Sequence, residues 1–324
     1  MTHHRDSQMY GQIKLFSGTA CAGLADEIAA YLGLSLSGRD VIKFPNENIF
    51  VRLHASVRGQ DCYIIQTTSP PVSDNLMELL IMVQTLKLDS AARITVVVPY
   101  LCYARSDKKD QPRVPITARL VADMIEVAGA DRYITMDLHA GQIQGFFSMP
   151  GDVLTAFHSL TDYFVELRPQ LKDPVIVTAD LGFAKKGRNF AVRLNCNMAF
   201  VEKRRTGDDA AAHALTVIGD VADRDVIIVD DEVDTAGSII QAVNIVKEHG
   251  ARDIYLSFVH PVLSHPAVER LRHAPIKEIV TTNTIPIPPE KLLPNMTIRS
   301  VAPLLGEVIK RAHEGRSVGE MFNE

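Results

Sequence analysis

The run Val226-Ile227-Ile228-Val229-Asp230-Asp231-Glu232-Val233-Asp234-Thr235-Ala236-Gly237-Ser238 decides the reading of this chain. Its first four residues are all β-branched, an apolar run of the kind found in strands covered on both faces. Adjacent acids end the run. A small-residue loop then opens a helical pattern with Ile239, Val243 and Val246 on one face and a stop at Gly250. The backbone N–H groups of residues 234–238 can wrap a phosphate at the positive end of the helix dipole. Gly237 permits close approach, and the hydroxyls of Thr235 and Ser238 add donors. Asp230 and Asp231 can accept hydrogen bonds from vicinal sugar hydroxyls. Acids beside a phosphate repel it, so the pattern points to a sugar phosphate accompanied by Mg²⁺. Taken alone, the same string also describes a capped helix after a strand, its acids solvated.

The grammar of strand, loop and helix recurs on both sides. Residues 63–65, 94–98, 133–136, 175–177 and 254–258 read as further buried strands. The spacing predicts a helix capped by Ser73 with Leu76, Leu79, Leu80 and Val83 inward. It predicts another opened by Pro115, with Leu120, Val121, Met124 and Ile125 inward and Gly129 at its end. Such alternation predicts an α/β fold built on parallel sheets. Residues 129–139 also resemble residues 250–260: each runs from a Gly-Ala helix stop through a strand to a histidine. This faint duplication predicts two similar domains, 1–155 and 156–324, each a mostly parallel sheet flanked by helices. The last ~15 residues are expected to pack back on the N-terminal domain. Ligands of such sheets bind beyond the carboxyl ends of the strands, so the residues after each strand are the candidates.

Composition narrows the classes. Lys+Arg number 34 against 39 Asp+Glu, a net charge of −5 that argues against general electrostatic binding to nucleic acid or anionic membranes. No apolar run approaches the ~18 residues of a membrane span. Met1-Thr2-His3-His4-Arg5-Asp6 has no apolar core and is no signal peptide. Cys21, Cys62, Cys102 and Cys196 form no CxxC pair, and a reducing compartment fits them. The expectation is a soluble cytoplasmic protein.

Other polar groups follow the strands. Lys203-Arg204-Arg205 comes after an apparent strand at 198–201 and precedes Thr206-Gly207. A clustered cation set on a glycine-containing loop suits a lid that stabilises charge on a transferring phosphoryl group, and equally a solvated loop. His139 follows a strand and Asp137; neutral imidazole suits Mg²⁺ or a phosphate oxygen, or a structural role. Asp180 ends the strand near 175–178, and Arg105-Ser106-Asp107 follows the strand at 94–98. Residues 182–189 begin like a P-loop but lack the lysine and hydroxyl after the second glycine, so that reading is rejected.

Residues 230–238 resemble the phosphoribosyl diphosphate loop shared by type I phosphoribosyltransferases and ribose-phosphate diphosphokinases. The rest of the chain is similar to the second family. The similar stretches are Cys62-Tyr63-Ile64-Ile65-Gln66-Thr67-Thr68-Ser69-Pro70, Met77-Glu78-Leu79-Leu80-Ile81-Met82, Asp137-Leu138-His139-Ala140 with Gln142-Ile143-Gln144-Gly145-Phe146-Phe147, Val201-Glu202-Lys203-Arg204-Arg205 and His260-Pro261-Val262-Leu263-Ser264. The resemblance runs from near Gln12 to the C-terminus, whereas phosphoribosyltransferases are usually shorter. It implies a phosphoribosyltransferase-like fold. It also implies transfer of the β,γ-diphosphoryl group of MgATP to the 1-hydroxyl of ribose 5-phosphate, giving phosphoribosyl diphosphate and AMP. By the same resemblance Lys203 and Arg205 are catalytic. Phe44, Asn46, Asn48, Arg105, Ser106 and Asp107 bind the nucleotide. Asp230, Asp231, Asp234, Thr235, Ala236, Gly237 and Ser238 bind ribose 5-phosphate, and His139 and Asp180 hold Mg²⁺. A homo-oligomer, dimer or hexamer, is expected.

The chain departs from the family at several points. Phe44-Pro45-Asn46-Glu47-Asn48 stands where the family usually has Phe-Ser-Asp-Gly-Glu. The ring is kept, but both carboxylates become amides that also donate, which bears on base selectivity. Ser106 replaces a glutamine and Phe183 a glycine. Gln111-Pro112-Arg113 replaces an Arg-Ser-Arg set that helps bind regulatory phosphate, so weak or absent phosphate activation is expected. These changes keep a non-catalytic regulatory paralogue open as an alternative, with a phosphoribosyltransferase as a third.

Overall fold

A computed structural model describes residues 10–179, 181–205 and 213–322. They fall into two compact units. The first takes its described residues from Met1–Thr155, Thr284–Pro286 and Val301–Asn323; the second takes them from Ala156–Asn283 and Ile287–Ser300.

In chain order the first unit contains β1 (Ile13–Ser17), α1 (Ala22–Leu32), β2 (Arg39–Lys43), β3 (Ile49–Leu53), β4 (Asp61–Ile65), α2 (Val72–Leu88), β5 (Arg93–Val98), α3 (Thr117–Ala128), β6 (Arg132–Met136) and β7 (Gly151–Leu154). Its sheet has the order β1-β4-β5-β6-β7 with every neighbouring pair parallel. All five residues of β4 are buried: Cys62–Ile65 as an apolar run covered on both faces, and Asp61 through its ion pair. The β2–β3 hairpin forms a separate two-stranded sheet. The C-terminal helix, Ala302–Glu314, returns to this unit and packs against α1.

Three local expectations are corrected. The N-cap of α2 is Pro71, and Ser73 lies inside the helix without a capping bond. The helix α3 begins at Thr117 rather than Pro115, and its buried face is Ala118, Val121, Ala122 and Ile125. Leu120 is 55% exposed and Met124 only half-buried. Two fully buried alanines share the inward stripe with Val121 and Ile125, and the bulkier leucine falls outside it. Gly129 does end α3, with φ of 116° in the left-handed region where glycine is favoured.

The second unit contains α4 (Phe157–Leu167), β8 (Val175–Thr178), α5 (Ala184–Leu194), β9 (Asn197–Arg205), β10 (His213–Ile218), β11 (Val226–Glu232), α6 (Gly237–Glu248), β12 (Ile254–His260), α7 (Ala267–His273), β13 (Glu278–Thr282) and β14 (Met296–Arg299). The sheet order is β10-β9-β8-β11-β12-β13-β14; only β9 and β10 are antiparallel. Lys203-Arg204-Arg205 therefore lies within β9 and not on a loop after it, because pairing with β10 extends the strand.

The duplicated segments carry β6 and β12, which hold equivalent places. The series β4-β5-β6-β7 and β8-β11-β12-β13 share both order and parallel sense. The two sheets differ at the next strand. There β1 precedes β4 in sequence, whereas β9 follows β8. The chain thus leaves β8 on one side and returns on the other at β11. That reversal is a topological switch point, where the carboxyl ends of β8 and β11 leave a crevice for ligand.

Buried ion pairs hold the opposite, amino ends of the strands. Asp61 opens β4 and is fully buried against Arg93 of β5, with bonds of 2.7 and 2.6 Å. Asp225, just before β11, accepts from Arg252 at 2.7 and 2.6 Å. Among the described residues, no helix is long and apolar enough to cross a membrane.

Candidate active site

The loop after β11 stands at the switch point. The strand continues through the acids to Glu232, so Asp230 pairs with Phe258 and Glu232 with His260 of β12. The N–H of Asp231 donates to the Asp230 carboxylate, and that of Glu232 to Asp231, each at 2.9 Å. Asp231 and Glu232 are buried. Burial, reinforced by the adjacent Asp231, pushes Asp230 well above the usual carboxylate range. A strand end so rich in acid favours a cation or hydroxyl donors beside it.

Ala236 is the N-cap of α6 and takes φ 61°, ψ 10°. Left-handed residues of this kind build the backbone nests that hold anions. An L-residue there costs about 1–2 kcal/mol, strain of the sort that concentrates at functional sites. Thr235 and Ser238 are exposed while Ala236 is buried, so the hydroxyls are reachable and the turn is anchored. The support comes from the segment after β12. The Val233 N–H donates to the His260 carbonyl at 3.1 Å, and the Leu263 N–H to the Val233 carbonyl at 2.9 Å. The stretch His260-Pro261-Val262-Leu263-Ser264 is therefore a brace for this loop, a role its sequence did not disclose.

In the first unit the loops after β5 and β6 are tied together. Asp107 is buried and accepts a bond from Gln142 Nε2, three residues beyond His139. Ser106 Oγ accepts the Thr117 N–H at 3.2 Å and its carbonyl accepts the Ala118 N–H at 3.1 Å, so Ser106 satisfies the first two N–H groups of α3. Arg105 and His139 are exposed. Asp137 is buried with φ of 38°, and Thr155 Oγ1 donates to its carboxylate at 2.8 Å. Glu78, inside the family-like 77–82 stretch, is buried and accepts the Thr19 N–H at 2.6 Å. That residue braces the turn after β1.

Phe44, Asn46 and Asn48 sit on the turn of the β2–β3 hairpin, away from the five-stranded sheet. Phe44 is 45% exposed, its ring 6.1 Å from that of Phe50. The side-chain oxygen of Asn46 accepts the Asn48 N–H at 3.2 Å. Glu47 takes φ of 67°, a conformation that favours glycine. Phe183 turns toward Phe157, 5.3 Å between ring centroids, with the Lys186 ammonium 5.3 and 5.4 Å from the two rings. Asp180 and the side chains of Lys203 and Arg205 lie outside the described residues. Among those described, no three His, Cys, Asp or Glu side chains converge as a metal site. Mg²⁺ is compatible with that, since it retains waters and substrate phosphates and needs only one or two protein ligands.

Comparison with known proteins decides the family. Residues 13–129 match the N-terminal domain of ribose phosphate pyrophosphokinase, and residues 207–323 match the phosphoribosyl synthetase-associated domain. A ribose-phosphate pyrophosphokinase of Caldanaerobacter subterraneus subsp. tengcongensis is 48% identical over 96% of this chain and 98% of its own. That of Rhodopirellula baltica is 46% identical over 97% and 99%. The chain belongs to the ribose-phosphate pyrophosphokinase family. The crystal structure of phosphoribosylpyrophosphate synthetase from Mycobacterium smegmatis agrees, with a TM-score of 0.89 and 41% identity over 94% of this chain and 99% of that one. The chain is an enzyme, a transferase of nucleotide biosynthesis. The near-complete match favours catalysis over the regulatory paralogue and over a phosphoribosyltransferase.

Proposed function

We propose that the protein transfers the β,γ-diphosphoryl group of MgATP to the 1-hydroxyl of ribose 5-phosphate, releasing AMP and phosphoribosyl diphosphate, in the cytoplasm and as a homo-oligomer. The observation that carries the site assignment is the loop of residues 230–238 at the switch point, with its left-handed Ala236 and buried acids. The N–H groups opening α6, with Thr235 and Ser238, hold the sugar's 5-phosphate. Asp231 and Asp230 orient the ring hydroxyls. Phe44 offers its exposed ring to the base, and Arg105 and Asp107 meet the nucleotide. His139 and Asp180 hold Mg²⁺, which when bound neutralises phosphate charge. Lys203 and Arg205 stabilise the charge that develops on the transferring group.

Thr235→Ala and Ser238→Ala test the loop. A lost hydrogen bond to a charged phosphate is worth about 1.5–3 kcal/mol, so each substitution should raise the KM for ribose 5-phosphate roughly tenfold or more. The KM for ATP should hold. Unchanged ribose 5-phosphate kinetics in both variants would remove the assignment.

A further inference from the structure

The loop has a third brace besides the two backbone bonds at Val233. Arg270, on α7, donates from Nη1 to the Thr235 carbonyl at 2.9 Å. The same nitrogen lies 3.4 Å from the place a Cβ on Gly237 would occupy, against the first residue of α6. We infer that Arg270 is a positioning residue for the ribose 5-phosphate loop, an inference that rests on assigning residues 230–238 to that substrate.

Two physical consequences lead there. The first is geometric. In a trans peptide the C=O and N–H point in opposite directions, so anchoring the Thr235 carbonyl on Arg270 aims the Ala236 N–H away from the guanidinium. That N–H belongs to the strained left-handed residue at the N-cap of α6. Without the anchor the peptide between Thr235 and Ala236 is free to flip and relieve the strain, and the arrangement of N–H groups is lost.

The second is electrostatic. A helix N-terminus carries about half a positive charge and repels a cation. Arg270 is nevertheless placed there, and among the described residues it forms no ion pair; its acceptor is an uncharged carbonyl. A cation held at that end by a neutral group is disfavoured in the empty loop and becomes favourable when an anion enters. Arg270 therefore both fixes the loop and adds to the positive field that the 5-phosphate meets.

The test uses the full chain with Arg270→Ala, Arg270→Lys and Arg270→Gln, beside Thr235→Ala and Ser238→Ala. Arg270→Ala should raise the KM for ribose 5-phosphate about tenfold, the loss of one charge-assisted bond. Its kcat and its KM for ATP should stay within about twofold, the signature of lost ground-state binding. Lysine keeps charge and a donor and should recover most of the loss. Glutamine keeps only a donor and should fall between. If the two loop variants raise the ribose 5-phosphate KM while Arg270→Ala leaves it unchanged, the role of Arg270 is refuted and the loop assignment stands. If none of the variants moves that KM, the loop assignment fails and this role fails with it. A drop in kcat or in melting temperature without a change in ribose 5-phosphate KM would make Arg270 a structural tie only, and also overturns the inference.

Discussion

Arg93→Ala should unfasten the amino end of the first sheet and leave substrate binding intact. Asp61 is fully buried and accepts from Arg93 Nε and Nη2 at 2.7 and 2.6 Å, from Tyr63 Oη at 3.0 Å and from His313 Nδ1 at 2.7 Å. Arg93 also donates to Tyr63 Oη at 2.9 Å and to the Ala312 carbonyl of the C-terminal helix at 3.1 Å. Its side chain is 13% exposed, so solvent screens the pair little. Breaking such a pair from one side costs about 3–5 kcal/mol, because a buried carboxylate is stranded. Tyr63 and His313 remain as donors, which places the loss near the lower end, ~3 kcal/mol. At about 2–4 °C per kcal/mol for chains of 150–250 residues, the melting temperature should fall by roughly 6–12 °C. Lysine should rescue poorly, since it lacks the two-pronged geometry. Adding Asp61→Asn to Arg93→Ala should recover part of the loss, as no charge is then stranded. Thermal and denaturant unfolding of the four proteins, with ribose 5-phosphate and ATP kinetics, measure both effects. A loss below about 1 kcal/mol, or a double variant weaker than the single one, would refute the reasoning.

Acid unfolding should report on the equivalent pair in the second unit. Burial pushes the Asp225 carboxyl up, but Arg252 and the Lys172 N–H outweigh it and hold Asp225 below the usual carboxylate range. The stability this contributes is present above the unfolded-state value of about 3.9 and is lost as pH falls through the lower folded value, so Asp225→Asn should flatten the acid limb of a stability-against-pH curve. An acid limb unchanged by the substitution would contradict this. All four cysteines are free, and burial raises Cys21 and Cys62 to about 12 and Cys196 to about 11. A thiol reagent at pH 8 should therefore react slowly with the native protein and with all four sites after unfolding; rapid native labelling of Cys21 would count against the buried placement. Activity should depend weakly on inorganic phosphate, because Gln111 and Pro112 offer no cation where they stand; a steep phosphate activation curve would overturn that expectation.

What the sequence disclosed follows from where its signals are local. Four β-branched residues at 226–229 and the small-residue loop after them announce a buried strand, a turn and a helix start without any long-range information. Pairing partners are not local. The cations at 203–205 read as a loop until β10 supplies an antiparallel neighbour, and the β2–β3 arm was missed because exposed Ile42 and Phe50 stand beside Val41 and Val51, which face the core, and blur the alternation. The inward face of α3 was right at Val121 and Ile125 but missed Ala118 and Ala122, because counting bulky residues overlooks buried alanines. Glu47 shows the reverse case. Its identity hides a backbone position that favours glycine, and only the φ of 67° displays it. Within the site, the acids and hydroxyls of residues 230–238 were legible as chemistry. The braces at Val233 and Thr235 were not, since a carbonyl's partner cannot be read from the residue that bears it.

The most direct test of the function is the fate of ATP phosphorus. The purified protein is incubated with Mg²⁺, ATP and ribose 5-phosphate, and the products are resolved by phosphorus NMR. Diphosphoryl transfer predicts AMP and a pyrophosphorylated sugar in equal amounts, both dependent on ribose 5-phosphate. ADP in place of AMP, or no sugar product from protein shown to be folded and supplied with metal, would contradict it.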